Sequence, residues 1–477
     1  KEKSKKIFSI LKKIIGIFEE YISYCSQKRS DNVAPFFMQF FIKKLYNTPM
    51  KFLTYSLLLL TYLSASTLNL SMSSSLSRLN PILANDSASS EISDWLFNGL
   101  FKYDKNGNPT VELAKSYNFE TPTKLIIKLR EDVLWHDNIK LTSKDIIFTY
   151  EKIIDPKVFN SIKSNFQEVQ SVKALDDYTI EVIYKNPYFK ALETWMVGIL
   201  PYHLLKDEKD LMTSSFNKNP IGTGSYKVKE FKQGQDIELL ANDKYFEGKP
   251  KIDRILYKFL PDSNTSFLYL KQKKLDIGGL DPIQVDRQLD NNFRNNYTIM
   301  QKPSFSFSYL GFNLKNEKFK DIRIRQALSL AIDRQELVDI LFFGYGKVCN
   351  GPFLPNSFAY NEDIKTITQD IIKAKELLKE AGYDENHPFS FEVVTNTGND
   401  IRINAALILQ YQLQKAGIKM NIRVMEWQAF LNTVVHPRNF EAVLLGWSMA
   451  LMPDAYPIWH STSSKLGGFN FVSYENP

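Results

Sequence analysis

Cysteine and long apolar runs are scarce in this sequence, and both shortages limit what the protein can be. Two cysteines occur in 477 residues, Cys25 and Cys349, so residues 67–477 hold one thiol and no internal disulfide. The strongly apolar run Phe52–Leu63 is too short to span a bilayer comfortably. A thiol-poor chain with 44% hydrophobic residues is globular, and it fits the cytosol and the periplasm equally.

The excess of positive charge is confined to the start of the chain. The net charge of +7 comes from 60 Lys and Arg against 53 Asp and Glu. Residues 1–51 hold eleven of the basic residues and four of the acidic ones, and residues 52–66 hold none, so residues 67–477 are formally neutral. A folded body without a basic surface excess is not expected to bind nucleic acid.

Recognisable catalytic and metal-binding motifs are also missing. The sequence has no G-x-S-x-G, no P-loop and no H-E-x-x-H, and Gly222-Thr223-Gly224 lacks the third glycine of a dinucleotide-binding fingerprint. The histidines stand at no zinc-ligand spacing and are interpreted as surface or hydrogen-bonded residues: His136, His203, His387, His436 and His460. We therefore expect no enzyme, no metal and no cofactor.

The apolar run has the surroundings of a secretory signal peptide. Met50-Lys51 precedes it and the small residues Ser64-Ala65-Ser66 follow it, which predicts a signal peptide over 50–66 with cleavage before Thr67. No cysteine lies at the cleavage point, so a lipoprotein is not expected. The prediction is a protein exported to the periplasm, with residues 1–49 a basic leader or upstream sequence outside the fold.

Strand and helix patterns alternate in the body and predict an α/β fold. Period-two strands are expected at Thr67–Met72 and Tyr178–Tyr184, and a helix from Ser90 is expected to carry Leu96 and Leu100 on one face. Another helix from Asp321 is expected to place Ala331 and Ile332 in its apolar stripe and to leave Arg334 solvated. From 389 to 447 strands and helices alternate as strand 389–395, helix 401–416, strand 418–425, helix 427–435 and strand 440–447.

Short motifs in a fixed order make the sequence resemble the family 5 extracellular solute-binding proteins of ABC importers. Each is weak alone, but their order is specific. They are Arg78-Leu79-Asn80-Pro81, Trp135-His136-Asp137, Pro220-Ile221-Gly222-Thr223-Gly224, Gly248-Lys249-Pro250, Ile324-Arg325-Gln326-Ala327-Leu328, Ala381-Gly382-Tyr383 and Gly446-Trp447 with Pro453-Asp454.

The resemblance implies a two-lobed clamp of the periplasmic binding protein type, with an extra inserted subdomain. Residues 67–103 and 220–303 would form lobe I, 104–219 its inserted subdomain, and 304–477 a lobe II that is C-terminally incomplete. The implied ligand is a peptide or similar small solute, held between the lobes. The implied partners are the permease subunits of the inner membrane, and a monomer is expected.

One departure from the family concerns the ligand. Peptide-binding members have an Asp three residues after the Gly-Trp motif that pairs with the α-ammonium group of the ligand, and this sequence has Ala450. Asp454 is the nearby acid that could replace it if the loop folds back. The ligand is then a peptide held differently, or another small molecule.

Five residues are the candidate ligand-binding residues. Two tryptophans and an asparagine follow predicted strands, a tyrosine lies near the lobe crossing, and an aspartate supplies charge: Trp447, Trp427, Asn396, Tyr309 and Asp454. Two alternatives stay open at this point. One is a secreted peptidase or glycosidase, and the other is a periplasmic sensor or chaperone without a transport role.

Overall fold

The strands of this protein form three four-stranded sheets and one two-stranded sheet within the residues that the structure describes. The computed structural model describes residues 66–260, 262–302, 304–355, 357–449, 451–465 and 467–476. The predicted leader 1–49, the signal peptide except Ser66, and Ala450 lie outside these residues. Within them, no helix combines the length and the apolarity needed to cross a membrane.

The strands in chain order are β1 (Thr67–Met72), β2 (Phe101–Tyr103), β3 (Pro109–Val111), β4 (Ala114–Thr121), β5 (Lys124–Leu129), β6 (Val169–Asp176), β7 (Thr179–Tyr184), β8 (Tyr226–Lys232), β9 (Asp236–Ala241), β10 (Arg254–Phe259), β11 (Ser306–Phe312), β12 (Ser390–Asn396), β13 (Lys419–Met425) and β14 (Ala442–Ser448).

The α-helices in chain order are α1 (Ser87–Leu96), α2 (Ser143–Ile154), α3 (Tyr202–Leu205), α4 (Ser263–Lys271), α5 (Pro282–Arg287), α6 (Asn291–Asn296), α7 (Ile322–Leu330), α8 (Arg334–Phe342), α9 (Ile371–Glu380), α10 (Asp400–Lys415), α11 (Trp427–Phe430) and α12 (Tyr456–Trp459). A π-helical turn, Leu431–Val435, continues α11.

The first two sheets share one hydrophobic core. Sheet one has the order β1-β10-β9-β8, with β1 parallel to β10 and the other pairs antiparallel. Sheet two has the order β4-β5-β7-β6 and is antiparallel throughout. Alternate residues of β5 and β7 are buried, which is the period-two pattern that predicted strands here. The small sheet β2-β3 precedes sheet two in the chain.

The third sheet carries parallel strands and is covered on both faces. Its order is β11-β14-β12-β13, with β12 parallel to both β13 and β14, and β11 antiparallel to β14. Val393 packs in the core on one face and Val394 in the core on the other. Parallel strands need a long crossover connection, usually an α-helix, and α10 supplies the one from β12 to β13. The alternation predicted for residues 389–447 is confirmed within one or two residues at most boundaries.

Two helix predictions were wrong: one helix was predicted too long, and a break within the other was not predicted. Helix α1 ends at Leu96 instead of continuing to Leu100, because Phe97 is extended and a Cβ on Gly99 would overlap the backbone of Met196. The close approach of these two segments bends the chain away from the helix axis.

The helix predicted from Asp321 is two helices. Helix α7 ends before Ala331 and Ile332, and Asp333 caps a second helix by accepting a hydrogen bond from the backbone of Glu336. Arg334, expected to be solvated, is half-buried and donates to the Ser329 carbonyl and hydroxyl groups. The apolar stripe continues through the break, which is why periodicity alone did not show it.

Sheet one is built from residues 67–72 and 226–259, sheet two from residues 114–184, and sheet three from residues 306–448. These stretches fall within the predicted lobe I, inserted subdomain and lobe II respectively. The residue bounds of the three units remain a prediction.

Candidate functional site

The carboxyl ends of the parallel strands in sheet three bring four of the predicted site residues to one edge. Asn396 ends β12, Trp447 is next to the last residue of β14, and Trp427 begins α11 just after β13. Tyr309 joins them because β11 runs antiparallel to β14 and pairs Phe307 with Trp447. Ligands of open α/β sheets bind at this edge, beyond the carboxyl ends of the strands.

Aromatic rings form a wall at this edge. The rings of Tyr309 and Trp447 are nearly parallel, with centroids 6.4 Å apart and planes 3° from each other. Trp447 also packs on Phe471 at 5.3 Å and on Phe469 at 5.2 Å. Tyr309 and Trp447 pack against the hydrophobic core at this edge and are partly buried, and the exposed parts of the two rings offer apolar surface with restricted motion to an organic ligand.

Arg402, which was not among the residues predicted from the sequence, lies among these residues. It stands in the first turn of α10, where the side chain of Asn399 caps the helix by accepting a hydrogen bond from the Arg402 backbone at 2.9 Å. Its Nη1 donates to Asn396 Oδ1 at 2.6 Å. Its Nη2 lies 3.0 Å from the position that a Cβ on Gly446 would take, so this glycine leaves room for the guanidinium group.

The positive charge of Arg402 has no carboxylate partner within salt-bridge distance among the described residues. Its Nε is buried without a hydrogen-bond acceptor in the described part of the chain. Burial lowers the pKa of Arg402, and Tyr309 acts weakly in the opposite direction. Burial also raises the pKa of Tyr309, which therefore stays a neutral phenol near pH 7 and provides no counter-charge.

A sequence signal for Arg402 existed. The first turn of an α-helix carries a partial positive charge, so an arginine there is unfavourable unless an anion compensates it. Asn396, which orients the guanidinium group, was selected from the sequence, but the link between the two depends on how the loop between β12 and α10 folds.

Two segments that follow strands of sheet one contact this edge of sheet three. Gln428, next to Trp427, donates from Nε2 to the Ser75 carbonyl oxygen at 3.0 Å. Asn264 donates to Asp400, at the start of α10, at 3.4 Å. The edge with the aromatic wall and Arg402 therefore opens towards the segments that follow β1 and β10.

Asp454, the fifth predicted residue, contacts a different part of the molecule. Its Oδ2 accepts a hydrogen bond from Lys190 Nζ at 2.7 Å, and its Oδ1 accepts one from the Tyr456 backbone at 3.0 Å. The negative charge of Asp454 is thus compensated by Lys190 of the same chain. Its role as a ligand-binding residue remains a prediction.

Comparisons with known proteins identify the family of this chain. Residues 108–469 match the family described as bacterial extracellular solute-binding proteins, family 5 middle. The oligopeptide-binding protein AppA of Bacillus subtilis is 36% identical over 420 residues, which cover 83% of this chain and 76% of AppA. The chain belongs to family 5 of the bacterial extracellular solute-binding proteins.

Solved structures show that this family 5 protein has the expected two-lobed α/β fold. The structure of AppA in complex with a nonapeptide superposes with a TM-score of 0.80 at 32% identity, covering 87% of this chain and 86% of AppA. The structure of NikZ from Campylobacter jejuni in complex with Ni(L-His) gives a TM-score of 0.77 at 31% identity, covering 87% and 85% of the two chains. Family 5 consists of substrate-binding proteins of ABC importers, so the resemblance drawn from the motifs is confirmed.

Proposed function

We propose that this protein captures a small solute with a carboxylate group, of the peptide class, at the carboxyl edge of sheet three. The observation that supports this most strongly is the partly buried guanidinium group of Arg402 without a carboxylate partner among the described residues. Removing a charge from water is costly unless an opposite charge compensates it. A ligand carboxylate would supply that charge.

The chemistry of the site favours a planar, two-oxygen anion. Asn396 accepts one hydrogen bond from Nη1 of Arg402, so the second N–H of Nη1 and the N–H groups of Nη2 are the ones that would donate to a ligand, whereas Nε is enclosed by the protein. Arginine binds carboxylates through two parallel hydrogen bonds, which fixes the orientation of the ligand as well as its charge. The adjacent rings of Tyr309 and Trp447 would then contact the apolar part of the solute.

A peptide is the class that the relatives support. AppA, the relative with 36% identity, is named for oligopeptide binding, and its structure contains a nonapeptide. The two positions considered for the ammonium end of a peptide do not offer it a free carboxylate, since position 450 is an alanine and Asp454 is paired with Lys190. We infer that the carboxylate end provides most of the charge recognition.

Capture by closure accounts for the rest of the proposed activity. A solute between two lobes stabilises the closed form by its differential affinity, and no bond in it is broken. The closed, loaded protein would act as a monomer in the periplasm, reach it through a cleaved signal peptide, and dock on the inner-membrane permease. No catalytic role, cofactor or nucleic-acid partner is proposed.

Isothermal titration with nonapeptide pools tests the proposal. One pool has free C-terminal carboxylates and the other has C-terminal amides. The wild-type protein should bind the free acids more tightly, and Arg402→Met should weaken their binding by about 10- to 100-fold, the value of a charge-assisted pair. The affinity for the amides should change little.

The matched control is Arg423→Met. Arg423 lies on β13 of the same sheet and pairs with Glu392 at 3.0 Å, so its loss should leave peptide affinity unchanged. Equal affinities for acids and amides in the wild-type protein would contradict the role of Arg402. Hydrolysis of the peptides during the titration would contradict the proposed function itself.

A further inference from the structure

The segment after β14 leaves sheet three and returns to it. We define residues 451–465 as the C-terminal arm. Before the arm, the Met449 backbone donates to the Phe305 carbonyl oxygen at 2.6 Å. At its end, Arg438 Nη2 donates to the Lys465 carbonyl oxygen at 2.8 Å. Both ends of the arm are thus fastened to segments of sheet three, in lobe II.

The middle of the arm contacts residues of the predicted inserted subdomain of lobe I. Lys190 and Asp454 form an ion pair at 2.7 Å although 264 positions separate them. The Tyr456 hydroxyl donates to Gln167 Oε1 at 2.7 Å. These contacts join a segment anchored on sheet three to segments that flank sheet two.

Leu451, at the start of the arm, packs on the turn at Gly107. A Cβ at Gly107 would stand 2.6 Å from Leu451 Cδ2. The arm therefore meets lobe I through an apolar contact as well as through the polar pairs.

The ion pair is shielded from water. The exposed fractions of the two side chains are 10% for Lys190 and 21% for Asp454. Burial, and to a smaller extent the charge of Asp454, raise the pKa of the neighbouring Tyr188 to about 12. An ion pair with this degree of burial is screened less by solvent than an exposed one, and removing one member leaves the other charge partly buried.

We propose that Lys190 and Asp454, supported by Tyr456 and Gln167, form a latch that holds the two lobes closed when no solute is bound. Separation of the lobes has to break the ion pair and the hydrogen bond, because the arm is fixed to lobe II at both ends. The pair therefore favours the closed state over the open state. In this role Asp454 binds a lysine of its own chain rather than the solute.

Electron spin resonance distances between the lobes test the latch without any solute. Nitroxide labels are placed on Lys173→Cys and Lys375→Cys, both exposed, in the full chain with Cys25→Ser and Cys349→Ser. Bound solute is removed first by unfolding and refolding. The distance between the labels is shorter in the closed form than in the open form. The parent protein should show mainly the shorter distance, and Asp454→Asn should lower the ratio of closed to open molecules about tenfold.

Two further variants test whether the attraction between these side chains is what holds the lobes together. The exchanged pair, Lys190→Asp with Asp454→Lys, restores the attraction and should restore the shorter distance. Tyr456→Phe, which removes only the hydroxyl group, should shift the distribution in the same direction as Asp454→Asn but less. The control is Lys124→Met, which breaks an ion pair with Glu181 inside sheet two and should change nothing.

A parent protein with only the longer distance would overturn the proposal. An unchanged distance distribution in Asp454→Asn, or an exchanged pair that stays open, would also overturn it. The result does not depend on which solute the protein binds, because none is added. A failure of the latch therefore leaves the proposed function untouched.

Discussion

At the scale of single residues, the site depends on a glycine that leaves space for an arginine. Gly446 lies on β14, and a Cβ there would stand 3.0 Å from both Arg402 Nη2 and the Phe307 carbonyl oxygen. The Phe307 carbonyl belongs to a paired strand and cannot move far, so the guanidinium group has to yield. The Gly446-Trp447 motif thus combines a space for the cation with a ring beside it.

Gly446→Ala should weaken carboxylate binding and, because the added methyl group also crowds the Phe307 carbonyl oxygen, should lower the free energy of unfolding as well. The added methyl group crowds Arg402 Nη2 and shifts it from the position beside Gly446, and the affinity for free-acid peptides should fall by up to about tenfold, the value of one hydrogen bond to a charged group. Isothermal titration measures this change. Gly279→Ala is the control, since a Cβ there meets nothing within 4 Å. Equal affinities of the two variants would contradict the steric argument.

His136 should make stability depend on pH. Its Nδ1 accepts from the Gly222 backbone at 3.1 Å and its Nε2 lies 3.0 Å from the Gly224 carbonyl oxygen, so the neutral ring with a proton on Nε2 fits this site. Burial lowers its pKa from 6.5 to about 4. The unfolded chain therefore takes up a proton between these values before the folded protein does, and the free energy of unfolding falls as the pH drops.

His136→Gln should reduce that dependence. Urea unfolding at several pH values between 6.5 and 4 should show a smaller loss of stability in the variant than in the wild-type protein, because the variant has one fewer group to protonate. The contribution of His136 should be complete above pH 6.5. Identical slopes in the two proteins would show that His136 is not held neutral by the fold.

At the scale of elements, the helix that presents Arg402 begins at a defined cap. The Asn399 side chain accepts a hydrogen bond from the Arg402 backbone and fixes where α10 starts after β12. Asn399→Ala should lower the free energy of unfolding by about 1 kcal/mol, the usual cost of losing such a cap. Asn399→Asp should keep most of the stability that the cap contributes, and chemical denaturation measures the free energy of unfolding of both variants. A loss in Asn399→Asp equal to that in Asn399→Ala would contradict the capping role.

The sequence predicted elements well where one periodicity held without interruption. Strand β7 and helix α10 follow their patterns because each buries one regular face. Helix α1 was predicted too long, because its end is set by the approach of Gly99 to the Met196 backbone, a contact between distant segments. The break before α8 was missed for a similar reason, since buried residues continue through it.

Two glycines of a sequence motif show how distant segments fix local structure. A Cβ on Gly222 would overlap the Leu96 carbonyl oxygen, and one on Gly224 would lie 2.4 Å from the carbonyl carbon of the same residue. The motif lets a turn pass close to the end of α1, and both ring nitrogens of His136 form hydrogen bonds with the backbone of these glycines. The motif was informative as a family marker, but its packing role could not be derived from spacing.

At the scale of the whole molecule, the site is assembled from strand ends that the chain visits separately. The order of β11, β14, β12 and β13 brings Tyr309, Trp447, Asn396 and Trp427 to one edge, and the sequence could select these residues because each lies at a strand end or beside the crossing. Arg402 was missed, because its hydrogen-bond partner Asn396 lies on β12, whereas Gly446, which leaves room for the guanidinium group, lies on β14. The pairing of Asp454 with Lys190 joins positions 264 residues apart and had no local signal.

Native mass spectrometry of the full chain, purified without denaturation, tests the central claim most directly. We predict a noncovalent small solute that tandem mass spectrometry identifies as a molecule with a free carboxylate, intact after incubation with the protein. Arg402→Met should lose this solute, and Arg423→Met should keep it. A bound solute without an acidic group, or one that Arg402→Met retains at the same occupancy, would contradict the account.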